Sequence, residues 1–323
     1  MSRMRPSAVP DPSGAAPARA AGPLTMIGGG VADVLRERRT RIWLVGVSLI
    51  CLALVLAAAL PEMDWVAGLA SDWRALSLLL VFSAALCCEL LDTSIGMGFG
   101  TTLTPVLLIA GFSPLDVVPA VLFSECVTGL CGAAMHHRDG NVDFRHDPQV
   151  RRVLALLLAL TVLGGGVAAL VVSSSSAASL RSMIAWMVVG VGVVIVLTAR
   201  RQLRFRPIQL VVIGAIAAFN KGLSGGGYGP LVTSGQVVSG VPARSAVAIT
   251  SICEGVTCGV ALAVCLALGQ QVHWALAIPL TVGALASVPM ATMIVGRLPL
   301  AALRGVVGVA TILLGVAALA SAR

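Results

Sequence analysis

The chain has little charge. Asp, Glu, Lys and Arg together make up 11% of its 323 residues, against roughly a quarter in soluble domains. A soluble protein of this length would need far more polar surface, so that class is excluded. Lysine is almost missing, with Lys221 the only one, and Tyr228 is the only tyrosine. The four histidines and eight cysteines show neither zinc-site spacing nor a compact disulfide framework, and the cysteines read as small packing residues. Strict alternation of apolar and polar residues is also missing, which argues against a transmembrane β-barrel. The formal charge of +8 comes mostly from arginines beside apolar runs. It is therefore no nucleic-acid footprint, and no nucleic-acid partner is expected. Nothing in the motifs asks for a cofactor or a metal.

What the chain does have is long apolar runs, at residues 42–60, 75–91, 116–135, 153–172, 182–199, 245–268, 274–295 and 300–320. Most approach the ~20 residues that cross a bilayer as a helix. The expected class is an all-α polytopic membrane protein with the lipid bilayer as its first partner. Residues 1–40 are rich in Pro, Ala, Gly and Ser and read as a disordered basic tail. Arg36, Arg38 and Arg39 precede residues 41–60, which Arg41 opens, an extra N-terminal helix anchored from the cytoplasm. Ala57 and Ala59 form an A-x-A, so cleavage as a signal peptide is the alternative, although the polar region before it is long for one.

The remainder repeats. A shift of 129 residues without a gap lays Gly96, Gly98 and Gly100 on Gly225, Gly227 and Gly229. The same shift lays Thr104 on Thr233, Glu125 on Glu254 and Thr128 on Thr257, and sets Asp92 against Lys221. A glutamate recurring at one offset inside apolar runs is hard to obtain by chance. The chain thus divides into repeats at 75–199 and 206–320. Each opens with an apolar piece, a glycine-rich break and a short second piece. At ~1.5 Å per residue, the pieces at 208–219 and 230–240 cannot each cross a ~30 Å core. Each pair reads as a helix broken near mid-membrane, its second arm starting near Thr101 or Pro230. Proline suits a helix's first turn, where its missing N–H costs nothing.

Arginine placement sets the topology. If each broken pair returns to the face it entered, Arg138, Arg145, Arg151 and Arg152 lie in the cytoplasm, as do Arg200, Arg201, Arg204 and Arg206. The acidic stretch at Glu62, Asp64 and Asp72 and the serines at 173–176 then lie outside. Three full crossings per half make the two repeats inverted, each a re-entrant broken pair plus three transmembrane helices. Paired broken helices in inverted repeats are a recurrent plan of secondary transporters.

The breaks suit anions. A half-helix N-terminus carries unpaired N–H groups and partial positive charge, and glycine lets a ligand approach the backbone. The candidate substrate-binding residues are Gly96, Gly98, Gly100, Thr101, Thr102, Lys221, Ser224, Gly225, Gly226, Gly227 and Gly229. The competing reading is that the glycines only allow close helix packing. Lys221 has three open roles: a cation that attracts substrate, a structural partner of Asp92, or a side chain reaching to the cytoplasmic mouth. Glu125 and Glu254 are the candidates for proton coupling, because ionisable groups at membrane depth usually face a cavity and function there. The alternative for them is a protonated carboxyl that hydrogen-bonds between helices. The C-x4-C pairs Cys126/Cys131 and Cys253/Cys258 flank the glutamates but do not share a helix face, which weighs against a thiol relay.

Gly225-Gly226-Gly227-Tyr228-Gly229, the looser Gly96-Met97-Gly98-Phe99-Gly100, the Ile249-Thr250-Ser251 run and the 137–144 stretch ending Asn141-Val142-Asp143-Phe144 resemble the TauE/SafE sulfite-exporter family over residues 75–320. Phe123-Ser124-Glu125 stands in the first half where members commonly carry a Thr-Ser pair. The resemblance implies a multi-pass inner-membrane transporter that exports a small anionic substrate: sulfite, a sulfonate or a related sulfur oxyanion. No enzyme activity is implied, and homo-oligomerisation stays open. A passive anion channel would use the same residues. Gly222-Leu223-Ser224-Gly225 also matches the G-x-S-G of rhomboid-type intramembrane serine proteases. That chemistry needs a histidine within reach of Ser224. His273, the only histidine outside the cytoplasmic loop on this reading, lies at an outer helix end, and Ile95 replaces the serine in the first half.

Overall fold

The computed structural model describes residues 74–198, 207–238, 240–295 and 300–320. The expected tail at 1–40, the helix at 41–60 and the arginine-rich connection at 200–206 lie outside the described residues. Within them the chain is wholly helical: α1 Arg74–Ile95, α2 Phe99–Ile109, α3 Pro114–Arg138, α4 Pro148–Ser174, α5 Ala177–Thr198, α6 Pro207–Ser224, α7 Tyr228–Val238, α8 Ala243–Ala267, α9 Trp274–Ile294 and α10 Leu300–Ala320. Six of these, α1, α3, α4, α5, α8 and α9, are long and apolar enough to cross a membrane. Helices suit such a chain because each satisfies its own backbone where no water can.

Local chemistry fixes the starts. Ser113 accepts the Leu115 N–H at 3.3 Å, and Asp147 accepts those of Gln149 and Val150 at 2.8 and 3.2 Å. Pro114 and Pro148 follow these caps, in positions that need no donor.

The breaks are shorter than the glycine content predicts. Helix α1 runs on through residues 92–95, and α6 through 220–224, so α6 has 18 residues and not a dozen. Three hydroxyls there are satisfied inside the helix: Thr93 donates to Glu89 at 2.5 Å, Ser94 to the Leu90 carbonyl at 2.5 Å and Ser224 to the Asn220 carbonyl at 2.9 Å. Only Gly96 to Gly98 and Gly225 to Gly227 turn, with φ of 77° and 143°, then 72° and 83°. Glycine alone adopts these angles freely. Helices α2 and α7 therefore begin at Phe99 and Tyr228, and Pro230 is the third residue of α7. It still falls among the four donors with no intrahelical partner.

Packing crosses between the halves. Helix α1 lies on α9, α6 on α4, α5 on α10 and α3 on α8. At the α3–α8 crossing a β-carbon on Gly129 would meet the Ser251 carbonyl at 2.6 Å, so the backbones touch. Gly214 faces Leu157 and Leu160 while Gly222 faces Gly165 and Ala168, so α6 runs parallel to α4. Gly283 faces Phe82, and further on Thr93, His136, Asn141 and Thr292 are joined, so α1 runs parallel to α9.

The end of α2 lies by the α4–α5 turn, where Arg181 donates to the Phe112 carbonyl at 3.1 Å. The end of α7 lies at the opposite ends of the helices: Gln236 reaches the Ala246 carbonyl at 3.4 Å, and nearby Ser245 donates to the Asn141 carbonyl at 3.2 Å. Apolar side chains such as Leu163 and Leu170 on α4 and Trp186 and Leu197 on α5 face outward, as lipid contact requires.

Candidate functional site

The two breaks touch. A β-carbon on Gly100 would stand 2.6 Å from Gly226 Cα, and one on Gly229 would stand 2.8 Å from the Gly96 carbonyl carbon. Shifting residue numbers by 129 turns the Gly96–Gly229 contact into the Gly225–Gly100 contact, which is also present. Thr104 donates to the Ser224 carbonyl at 2.9 Å and Thr233 to the Gly96 carbonyl at 3.4 Å, again nearly exchanged by the shift. So Gly96, Gly100, Gly225, Gly226 and Gly229 are small where one break meets the other, its threonines or Val121. Gly98 faces Leu91 and Cys88 of its own half, and Gly227 faces Asn220 and Val191.

Behind the breaks lies a buried charge cluster. Lys221, on the last turn of α6, is 1% exposed and pairs with Glu125 of α3 and, at 3.4 Å, with Glu254 of α8. Of its three sequence readings, the one at the cytoplasmic mouth does not fit this burial. Its ion pairs are with the two repeated glutamates and not with Asp92. Asp92 instead accepts the Phe99 N–H at 3.3 Å, at the N-terminus of α2. Glu254 Oε1 lies 3.4 Å from where a Gly229 β-carbon would be, at the N-terminus of α7. Each half-helix N-terminus thus has a carboxylate of the chain beside it, a favourable place for negative charge. Cys258 adds a thiol contact of 3.6 Å to Glu125.

The hydroxyls differ in their freedom. Ser224 donates to the Asn220 carbonyl and accepts the Gly226 N–H at 3.1 Å, so it braces the break, and no histidine is among its partners. Thr101, in the first turn of α2, is 2% exposed and its hydroxyl has no partner. Thr102 is half-buried.

Three residues that sequence reasoning passed over belong to this region. Glu89 lies inside the first apolar run and is buried. Its signal was an acidic residue one turn before Asp92. His136, placed by sequence in the cytoplasmic loop, is fully buried; its Nε2 bonds the Thr93 carbonyl at 3.0 Å and its Nδ1 meets Asn141 at 3.1 Å. Asn220 is buried with its Oδ1 unpartnered. Glu89, Asp92, Glu125, Thr128, Gly129, Ser251 and Glu254 line a cavity of about 10 Å³, room for roughly one water.

Comparison with known proteins agrees with this architecture. The family described as "Sulfite exporter TauE/SafE" matches residues 80–318. A "Probable membrane transporter protein YtnM" of Bacillus subtilis (strain 168) is 25% identical over 235 residues, covering 68% of this chain and 75% of that protein. No solved structure matches. The family match spans both breaks and both repeated glutamates, and the chain belongs to the TauE/SafE sulfite exporter family of membrane transporters.

Proposed function

We propose that the chain exports a small anion, a sulfur oxyanion such as sulfite or a sulfonate, across the cell inner membrane with its N-terminus in the cytoplasm, and that anion movement is linked to protons. The observation that carries the reading is where the chain's own carboxylates sit. Asp92 and Glu254 stand at the N-termini of α2 and α7, and Glu125 holds Lys221. These are the positions at which a buried oxyanion would be stabilised, by N–H donors at a half-helix end and by a buried cation. The unpartnered Thr101 hydroxyl supplies a further donor at α2.

A carboxylate that takes up a proton ceases to compete for its donors and for Lys221. An arriving anion then takes its place, so proton and anion binding favour each other. Glu125 and Glu254 are the coupling groups on this reading. Gly96, Gly98, Gly100, Gly225, Gly226, Gly227 and Gly229 shape the space between the half-helices.

The proposed topology is an inverted repeat. Support comes from α2 ending near the α4–α5 turn while α7 ends near Asn141, and from contacts that exchange under the 129-residue shift.

The test is counterflow in liposomes holding the purified protein, with labelled sulfite or a sulfonate and a proton gradient imposed or collapsed. The reading expects accelerated exchange when unlabelled anion is on the far side, and net flux that follows the proton gradient. Flux with neither property would mark a passive channel.

A further inference from the structure

We propose that Glu89 is the group that holds the transported proton, in the water-sized cavity between α1, α3 and α8. The proposal rests on the proton-linked reading above: Glu89 receives and holds the proton, and Glu125 and Glu254, the coupling pair that lines the same cavity, exchange it against the anion. Its carboxyl is 3% exposed. One oxygen accepts the Thr93 hydroxyl at 2.5 Å; the other, Oε2, has no hydrogen bond within 3.5 Å, with the Thr128 hydroxyl beside the carboxyl in the cavity. It lines the cavity of about 10 Å³ together with Glu125, whose Oε1 is also unpartnered.

The neighbouring carboxylates are otherwise engaged. Asp92 holds the Phe99 N–H, and Glu125 and Glu254 share Lys221. Glu89 therefore faces the cavity without a cation of its own. An unpaired carboxylate at membrane depth is costly, and taking up a proton removes the charge. The proton enters from a cavity water as hydronium, leaving neutral water and a carboxylic acid, and departs by the reverse step. Nothing is oxidised or reduced.

The charged groups around Glu89 are Asp92 on α1, Lys221 on α6 and, across the cavity, Glu125 on α3 and Glu254 on α8; the Cys88 thiol is next to it on α1, and His136 of α3 lies one turn away on the Thr93 carbonyl, while α2 and α9 carry no titratable side chain. Under the 129-residue shift Glu89 falls on Ala218, so the second half has no counterpart. The receiving site is single although the coupling pair is repeated.

The experiment follows anion flux and internal pH together in liposomes, for wild type, Glu89→Gln and Thr93→Val, between pH 6 and 8. Wild type is expected to move protons with the anion, its flux changing by up to ~10-fold per pH unit on the titrating limb. Glu89→Gln should carry anion without the accompanying proton, its rate varying less than about twofold, since no group there titrates. Thr93→Val keeps the carboxyl but removes its hydroxyl donor, and should shift the pH midpoint of transport alkaline while retaining coupling. It serves as the reporter if Glu89→Gln fails to fold. Proton movement at the wild-type ratio in Glu89→Gln, or an unmoved midpoint in Thr93→Val, overturns the assignment to Glu89 alone. Wild-type anion flux without protons overturns the coupling reading and this assignment with it.

Discussion

At the scale of single residues, the glycines separate into those that cannot accept a side chain and those that can. Gly100→Ala would place a methyl against the Gly225–Gly226 backbone, which has no flexible end to move aside. Overpacking of this kind costs about 1–3 kcal/mol or more, so the variant should melt well below wild type in a thermal-shift assay in detergent. Gly190 on α5 has open space around it. Gly190→Ala should stay within ~0.5 kcal/mol of wild type, as substitutions clear of packed contacts usually do. From sequence alone, Gly227→Val would block a ligand in an otherwise sound protein. In the structure Gly227 has φ of 83° and the Asn220 amide stands where its β-carbon would go. Loss of folding is therefore the expected result, and yield of folded protein is the measurement.

Lys221 gives a second residue-scale prediction. Lys221→Met leaves Glu125 and Glu254 buried without their cation, and breaking a buried pair in this way costs roughly 3–5 kcal/mol. Adding Glu125→Gln should recover part of that loss. If the double variant melts no higher than the single one, Lys221 owes its place to something other than the glutamates.

Outside the membrane, Asp143 accepts N–H groups from Arg145 and His146 at 2.9 and 3.0 Å, which hold its carboxyl below the usual range. A lowered value means the turn is supported at neutral pH, with support lost as pH falls through that value. Protection of the Arg145 and His146 amides, measured against the intrinsic exchange rate at each pH, should fall on acidification, and should be missing at all pH values in Asp143→Ala.

At the scale of elements, the repeat of glycines and glutamates was open to sequence reading because it depends on residue identity at a fixed offset. The lengths of the arms were not. Composition cannot show that Thr93, Ser94 and Ser224 satisfy their own helices, so α1 and α6 outlast the polar residues that suggested an early stop. Close packing was one of the two sequence readings of the glycines, but which of them meet was hidden, because break-on-break contact joins residues far apart in the chain. Glu89 was overlooked because the surrounding run is apolar, and only the cavity distinguishes it from a helix-bonded carboxyl. His136 was assigned to a loop because it follows the last apolar residue of α3, yet tertiary packing buries it.

At the scale of the whole molecule, the helix order places the turn at Gly140 and the turn at Ser174 at opposite ends of the 27-residue helix α4. Single-cysteine variants at Gly140 and Ser174 should react with a membrane-impermeant thiol reagent from opposite sides of intact cells or inverted vesicles. Labelling of both from one side would refute the topology.

The interlocking of the halves has a consequence for how the protein is made. Phe82 on α1 finds its partner Gly283 on α9 about 200 residues later. At about 5–20 residues per second of synthesis, α1 waits on the order of 10–40 s for it. For most of that interval its Glu89 and Asp92 also lack Ser251 and Glu254 of α8, which close their cavity. The bundle can close only after the ribosome has delivered α9, so a nascent chain stalled after α5 should remain a client of the insertion machinery until the rest arrives.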